Sequence, residues 1–237
     1  MALYAIFNGK SNEDYGFIIE QLPDEHRPRR NVEPVEIPGK HGSAFEDLGN
    51  YETYNTSVKI NPNGRSVSDV YAWLRGEGWL TTSQDPEYMR WVSFYDQQND
   101  SRFRLNAECY DTITIPMVVQ PYKYLADQQP MELNGAAVFA GMGNDNADPV
   151  ITVYGTGEID LMINNASVLI SNLMGSITID CDAKTAYTVD LSGNKSFAGR
   201  QVTVVDDLWP YMEPGENSVS WSGDAGLVII QPWWRWL

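Results

Sequence analysis

Only two histidines, His26 and His41, carry side chains that titrate near neutral pH in their ordinary state. They lie in the polar stretches "DEHRPRR" and "PGKHG", with no cysteine or second histidine at metal-ligand spacing. A nucleophile needs a base framed to activate it. Nothing local frames either imidazole, so both are expected on surface loops. Paired carboxylates are the next chemistry to weigh. Asp206-Asp207 and Asp180/Asp182 could supply the two acids of a glycosidase, but an acidic chain offers many such pairs. "GNDNADP" (Gly143–Pro149) is rich in oxygen donors suited to calcium, yet it lacks EF-hand spacing, and a hydrogen-bonded loop explains it better. Gly141/Gly143 and Gly155/Gly157 precede no helical pattern, so a phosphate cradle lacks its helix N-terminus. No catalytic, metal or cofactor site assembles. The expectation is a binding or structural protein, not an enzyme.

Charge narrows the partners. The chain carries 16 Lys+Arg against 32 Asp+Glu, a net charge of −16. Residues 1–126 hold 12 of the cations and 18 of the acids, and residues 127–237 hold 4 and 14. Such a surface repels phosphates, which disfavours nucleic-acid binding. "HRPRR" (His26–Arg30) is the basic cluster, either a solvated loop or a patch for an acidic neighbour such as another copy. No apolar run approaches the length of a membrane-spanning helix, and "MALYAIFNGK" lacks the features of a signal peptide. A soluble protein made in a cytosol is expected. Cys109 and Cys181 are far apart in sequence, and no disulfide is expected between them.

The elements that must position these residues read mostly as strands. "YETYNTSVKI" places Tyr54, Thr56, Val58 and Ile60 on one face. "RFRLNAECYDTITIPMVVQPYKY" contains two β-rich runs expected to break at Pro116 and Pro121. One helix is expected over residues 66–76. Ser66 is its N-cap, Asp69 a capping-box partner, and Val67, Val70, Tyr71 and Leu74 its apolar stripe. Gly76 and Gly78 supply its stop. After residue 126 the texture changes to short strands: "PVITVYG", "EIDLMIN", "SVLIS", "SITIDC", "AYTVDL", "QVTVV", "NSVSWSG" and "GLVIIQP". Asn164-Asn165, Gly175, Ser192-Gly193-Asn194 and Pro214-Gly215 separate them, the pattern of a β-sandwich or jelly roll. "LNGAAVFAGMGNDNADP" reads as a connection holding at most one strand. The fold expectation is mainly β in two domains, 1–126 with one helix and 127–237 a sandwich.

Several stretches together resemble the distal tail protein (Dit) family of long-tailed, non-contractile bacteriophages. "YAWLRGEGWLTTSQDPEYMRWV" (Tyr71–Val92) is similar to the family's helix, Trp-Leu-x-Gly-x-Gly turn and Ser-x-Asp-Pro segment. "IPGKHG" (Ile37–Gly42) resembles its glycine-containing loop, and "VVQPYKY" (Val118–Tyr124) the close of its N-terminal domain. "MEPGENSVSWSG" followed by "VIIQPWWRWL" resembles its ending. Trp233 stands where the family often has arginine, and Gln120 where a cysteine is expected. The resemblance implies a hexameric ring at the distal end of the tail, assembled in the host cytoplasm. N-terminal sandwich-like domains would close the ring and join the tail tube protein to the tail-associated hub or lysin protein, near the tape measure protein. Galectin-like C-terminal sandwiches would carry receptor-binding or other baseplate proteins. DNA would pass through without specific binding.

The resemblance also bears on the last residues. Pro232 suits a strand-initial position, and alternation beyond it puts Trp234 and Trp236 on one face and Trp233, Arg235 and Leu237 on the other. Trp234 and Trp236 match the family's aromatic pair and are assigned to the core, as is Trp221. Arg235 is expected over an aromatic ring or against a carboxylate. Trp233 is the candidate for partner contact. Arg27, Arg29 and Arg30 are candidates for the ring interface. Two rivals remain: a carbohydrate-binding sandwich that stacks sugars on exposed aromatics, and a tail-associated hydrolase, which the missing catalytic frame weakens.

Overall fold

Alternating apolar and polar residues dominate the chain, and strands follow from that period. The computed structural model describes residues 2–95, 112–190 and 192–237 and is mainly β, with two short α-helices among the described residues. It divides into one unit over residues 1–126 with Leu237 and another over residues 127–236. Cys109 lies outside the described residues; Cys181 is a buried free thiol.

In the first unit, β1 (Ala5–Phe7), β2 (Lys10–Ser11), α1 (Asn12–Tyr15) and β3 (Ile18–Gln21) precede a hairpin of β4 (Arg30–Glu36) and β5 (Ser43–Tyr51). β6 (Tyr54–Asn61), α2 (Val67–Trp73), β7 (Glu77–Thr82), β8 (Asp85–Ser93) and β9 (Ile113–Leu125) follow. An antiparallel sheet runs β2-β1-β7-β8-β9-β6-β3, while β4 and β5 form a separate two-stranded sheet. Val58 and Ile60 of β6 join Ile115, Val92, Val70 and Leu74 in one apolar cluster. Burial of each such side chain is worth about 1.5–3 kcal/mol.

The helix is shorter than its sequence pattern. It ends at Trp73; Leu74 leaves helical geometry at φ −92°, ψ 70°, while its N–H still bonds the Val70 carbonyl. Val70, Trp73 and Leu74 are buried, with Val67 and Tyr71 half-buried beside them. Trp73 falls outside the anticipated stripe. Its indole N–H donates to the Lys10 carbonyl at 3.1 Å, which lets the ring lie buried near Phe17. Ser66 caps by accepting from the Ser68 N–H at 3.2 Å. A reciprocal capping box occurs instead at α1. There the Ser11 hydroxyl accepts from the helix backbone, and its N–H donates to Asp14 at 2.8 Å. Four residues are too few to show an apolar period, so α1 has no counterpart in the sequence reading.

The prolines do not break β9. Pro116 pairs with Ser57 of β6 before the β8 pairing begins at Val118. Pro121 lies past the β6 pairing, inside a register shift against β8 between Arg90 and Val92. The missing N–H of Pro116 therefore interrupts no β8 pairing, and that of Pro121 falls within the β8 register shift.

The second unit contains β10 (Met131–Leu133), β11 (Ala137–Gly141), β12 (Val150–Ile163), β13 (Ala166–Asp180) and β14 (Thr185–Val189). β15 (Lys195–Phe197), β16 (Val202–Val204), β17 (Gly215–Gln231) and β18 (Arg235–Trp236) complete it. Strands run β10-β17-β12-β13-β14-β15, with β11 on β17 and β16 on β13. Six of the anticipated short strands are therefore three long ones. Gly155, Gly157, Gly175 and Gly223 mark bends rather than turns. A Cβ on Gly155 would meet the Asp224 carbonyl oxygen at 2.3 Å, and one on Gly223 the Glu158 oxygen at 2.1 Å. Gly155 and Gly223 let neighbouring backbones close up at the register shifts of β12 against β17. Inward residues Ile151, Val153, Leu161, Ile177, Val228 and Ile230 build the core.

Candidate functional site

The titratable groups singled out in the sequence, Cys109 apart, lie within the described residues. His26 and His41 are exposed, His26 edge-on to Tyr54 at 5.6 Å. Asp206 and Asp207 are exposed in a short 3-10 turn, both at positive φ. Asp180 accepts the Ala183 N–H at 3.0 Å, closing a tight turn. In "GNDNADP", Asp145 caps the Asn146 N–H and Asp148 pairs with Arg235 at 2.6 Å. No cluster of three or more His, Cys, Asp or Glu positioned to hold a metal occurs among the described residues. These placements do not assemble a reaction centre.

The β4–β5 hairpin is the feature that stands out. From Glu33 to Glu36 and from Glu46 to Asn50 it is exposed, and so is the turn between its strands. Val35, Ile37, Leu48 and Phe45 are exposed apolar side chains, Phe45 at 72 % of its surface. The register places Phe45 opposite Pro34 and Val35 opposite Ala44, so both faces carry apolar groups. A lone two-stranded hairpin is marginal in water. Its base is reinforced instead. The Arg30 Nε donates to both Asp47 carboxylate oxygens at 2.9 Å, its guanidinium lies 4.7 Å from the Tyr51 ring centre, and Tyr51 meets Tyr122 edge-on. Hydrogen bonding from Arg30 holds the Asp47 carboxyl below the usual range, and Asp47 raises Arg30 in return. Arg30 is thus engaged inside its own hairpin, whereas Arg27 and Arg29 are exposed on the preceding loop.

That loop is tied to the sheet by charge. Glu25 pairs with Arg90, and its carboxylate is 3.8 Å from Lys123. Arg90 and Lys123 are cross-strand neighbours, with Asp85 2.9 Å from Lys123. Burial pulls the Arg90 pKa down from its ordinary value. The adjoining cavity, lined in part by Glu25, Asp85 and Arg90, has a volume of about 30 Å³, room for a water or two.

The C-terminal segment is not one continuous strand. β17 ends at Gln231, and Trp233 takes φ +52°, which breaks the alternation. Trp234 is 5 % exposed; Trp233, Arg235 and Trp236 are half-buried. Of the two roles open to Arg235, the structure shows the carboxylate pair, with Asp148. Trp221 and Trp236 pack at the margin of the second core. Asn217, fully buried, accepts from Asn164 and from the Glu213 N–H and donates to the Glu213 carbonyl. The sequence assigns this Asn of "PGEN" no role; its place directly after Pro-Gly-x is the available cue.

Comparison with known proteins rests on structure. No sequence-family model matches the chain, and no curated protein matches it significantly. The crystal structure of SPP1 Dit (gp 19.1), described as a paradigm of the hub adsorption apparatus in Gram-positive-infecting phages, superposes with a TM-score of 0.72. The match covers 100 % of both chains at 11 % sequence identity. This chain has the Dit fold.

Proposed function

We propose that this chain is a structural protein of a siphophage virion, a distal tail protein whose six copies close a ring. The reading rests on the end-to-end fold likeness to SPP1 Dit. In this proposal the ring joins the tail tube protein to the hub or lysin protein, near the tape measure protein, and offers docking places to receptor-binding or other baseplate proteins. It assembles in the host cytoplasm and resides at the distal end of the tail. The exposed β4–β5 hairpin supports ring closure. A closed ring of identical subunits needs two different patches that meet head to tail, and an apolar arm exposed among the described residues suits one of them. Arg27 and Arg29 are proposed as part of the same interface and Trp233 as a contact for another tail protein. Negative charge suits a conduit, because a basic bore would hold DNA phosphates. Negative-stain images of the purified protein test the reading. Six-fold rings with negligible duplex-DNA binding at low salt are expected; monomers alone, or tight DNA binding, would overturn it.

A second reading has its own support. The outer face of the second sheet exposes Tyr154 and Phe197, and Lys195 sits 4.2 Å from the Tyr187 ring centre. Exposed aromatics of this kind can stack on sugars, as in a carbohydrate-binding module at the host surface. Binding of host wall polymers on a glycan array, lost in Tyr154→Ala, would favour it.

A further inference from the structure

Three cavities lined by described residues of the first unit are candidates to receive the exposed apolar arm. The one beside Arg90 is too small for a side chain, and its charges already pair with each other. The one beside Tyr15 has a volume of about 330 Å³, but Asp14, Asp69 and Arg65 give it a charged rim. The third has a volume of about 410 Å³ and is lined by Ala2, Leu3 and Leu22 together with the polar Glu20, Gln21, Ser83 and Gln84. Its size falls within the usual span of ligand pockets, roughly 300–1,000 Å³. Its wall is held in place. The Tyr4 N–H donates to the Ser83 hydroxyl at 3.1 Å, and the Ser83 N–H to the Tyr4 carbonyl at 2.9 Å, so the N-terminal segment is pinned beside Leu3. Leu3 is exposed, so the apolar wall is open to solvent.

We infer that the arm of one copy inserts Phe45 into the Leu3–Leu22 cavity of the next copy. This rests on the ring reading above and names its contact. Phe45 is an aromatic ring with almost three-quarters of its surface in water, and the cavity offers it the apolar side chains of Ala2, Leu3 and Leu22 within a polar rim. They are different patches on one chain, as head-to-tail closure demands. Charge sets the orientation. Copies that each carry −16 repel, so a stable contact places the scarce cations against acids. The arm's turn carries Lys40, whose N–H closes the turn on the Ile37 carbonyl at 3.1 Å. The cavity margin carries Glu20, held in its charged form by hydrogen bonds from Thr112 and Asn61. Lys40 of one copy against Glu20 of the next fixes which way round the arm lies.

The test is a cross-link in the purified full-length protein. Phe45→Cys combined with Leu3→Cys, treated with a mild oxidant, should give a ladder of disulfide-linked species ending at six chains. In a Cys109→Ser background, the parent should give none and each single variant nothing beyond a linked pair. Oligomers by light scattering with no ladder would overturn the cavity assignment and leave the ring reading standing. A monomer at every concentration, in wild type and variants alike, would bring down the ring reading and this inference with it. As an independent arm, Lys40→Glu and Glu20→Lys should each raise the dissociation concentration of the oligomer at least tenfold, and the double variant should restore it. No rescue would remove this charge pair from the contact.

Discussion

The side-chain amide of Gln128 brackets the backbone of Trp234. Its Oε1 accepts the Trp234 N–H and its Nε2 donates to the Trp234 carbonyl, both at 2.9 Å. A side chain thereby supplies what a neighbouring strand would, at the point where β17 has ended and the left-handed Trp233 has turned the chain. The clamp lets the Trp234 ring bury without leaving its own peptide groups unsatisfied.

Removing the clamp should loosen the end of the second unit without unfolding it. Gln128→Ala loses two hydrogen bonds at about 1 kcal/mol net each, so a loss of roughly 1–3 kcal/mol is expected. Gln128→Glu keeps the acceptor but sets a carboxylate against the Trp234 carbonyl, and should cost at least as much. Urea unfolding followed by tryptophan fluorescence checks both. A Gln128→Ala midpoint equal to wild type would show that the clamp is idle in solution.

Leu74→Asp should prevent folding of the first unit. Leu74 is 1 % exposed in an apolar cluster, and a carboxylate buried there without compensation costs about 3–5 kcal/mol. Insoluble protein is expected. Soluble protein with a wild-type melting profile would mean that the helix end does not pack as described.

Two glycines separate close approach from backbone conformation. Gly223 has φ +94°, and a Cβ there would meet the Glu158 oxygen at 2.1 Å; Gly157 has φ +77° with nothing within 4 Å. Gly157→Ala should cost the left-handed penalty of about 1–2 kcal/mol. Gly223→Ala should add overpacking, for roughly 2–4 kcal/mol in all. Calorimetric melting of both variants decides it. Equal losses would refute the claim that backbone crowding selects glycine at the bend.

The base of the arm should respond to acid in one direction. The Asp47 pKa is lowered in the folded state, by Arg30 first and the Gly49 N–H second. Its contribution is therefore present above the usual aspartate value of about 3.9 and is lost as pH falls through the depressed folded value. An NMR titration of the Asp47 carboxyl, with Tyr51 ring shifts as reporter, should find a midpoint below that usual value. A midpoint at or above it would show that the Arg30 pair does not persist in solution.

What sequence alone determined here is whatever depends on neighbours along the chain. The mainly β class follows from period-2 alternation such as Val58 and Ile60 in β6, and the helix from Val70 and Leu74 at helical spacing after an N-cap serine. Tertiary structure decided what depends on a neighbour across space. Gly175 reads as a turn in sequence because glycine's freedom at positive φ serves turns and bends alike, and only the backbone lying opposite makes it a bend within β13. Pro116 and Pro121 read as strand breaks until the ladders on each side of β9 are known. Trp233 carries no local mark of its left-handed backbone; Gln128, more than a hundred residues earlier, secures the residue after it. The arm is the plainest case. Alternation can make Arg30–Tyr51 a strand pair, but it cannot say whether a layer covers the pair, since coverage belongs to residues distant in sequence.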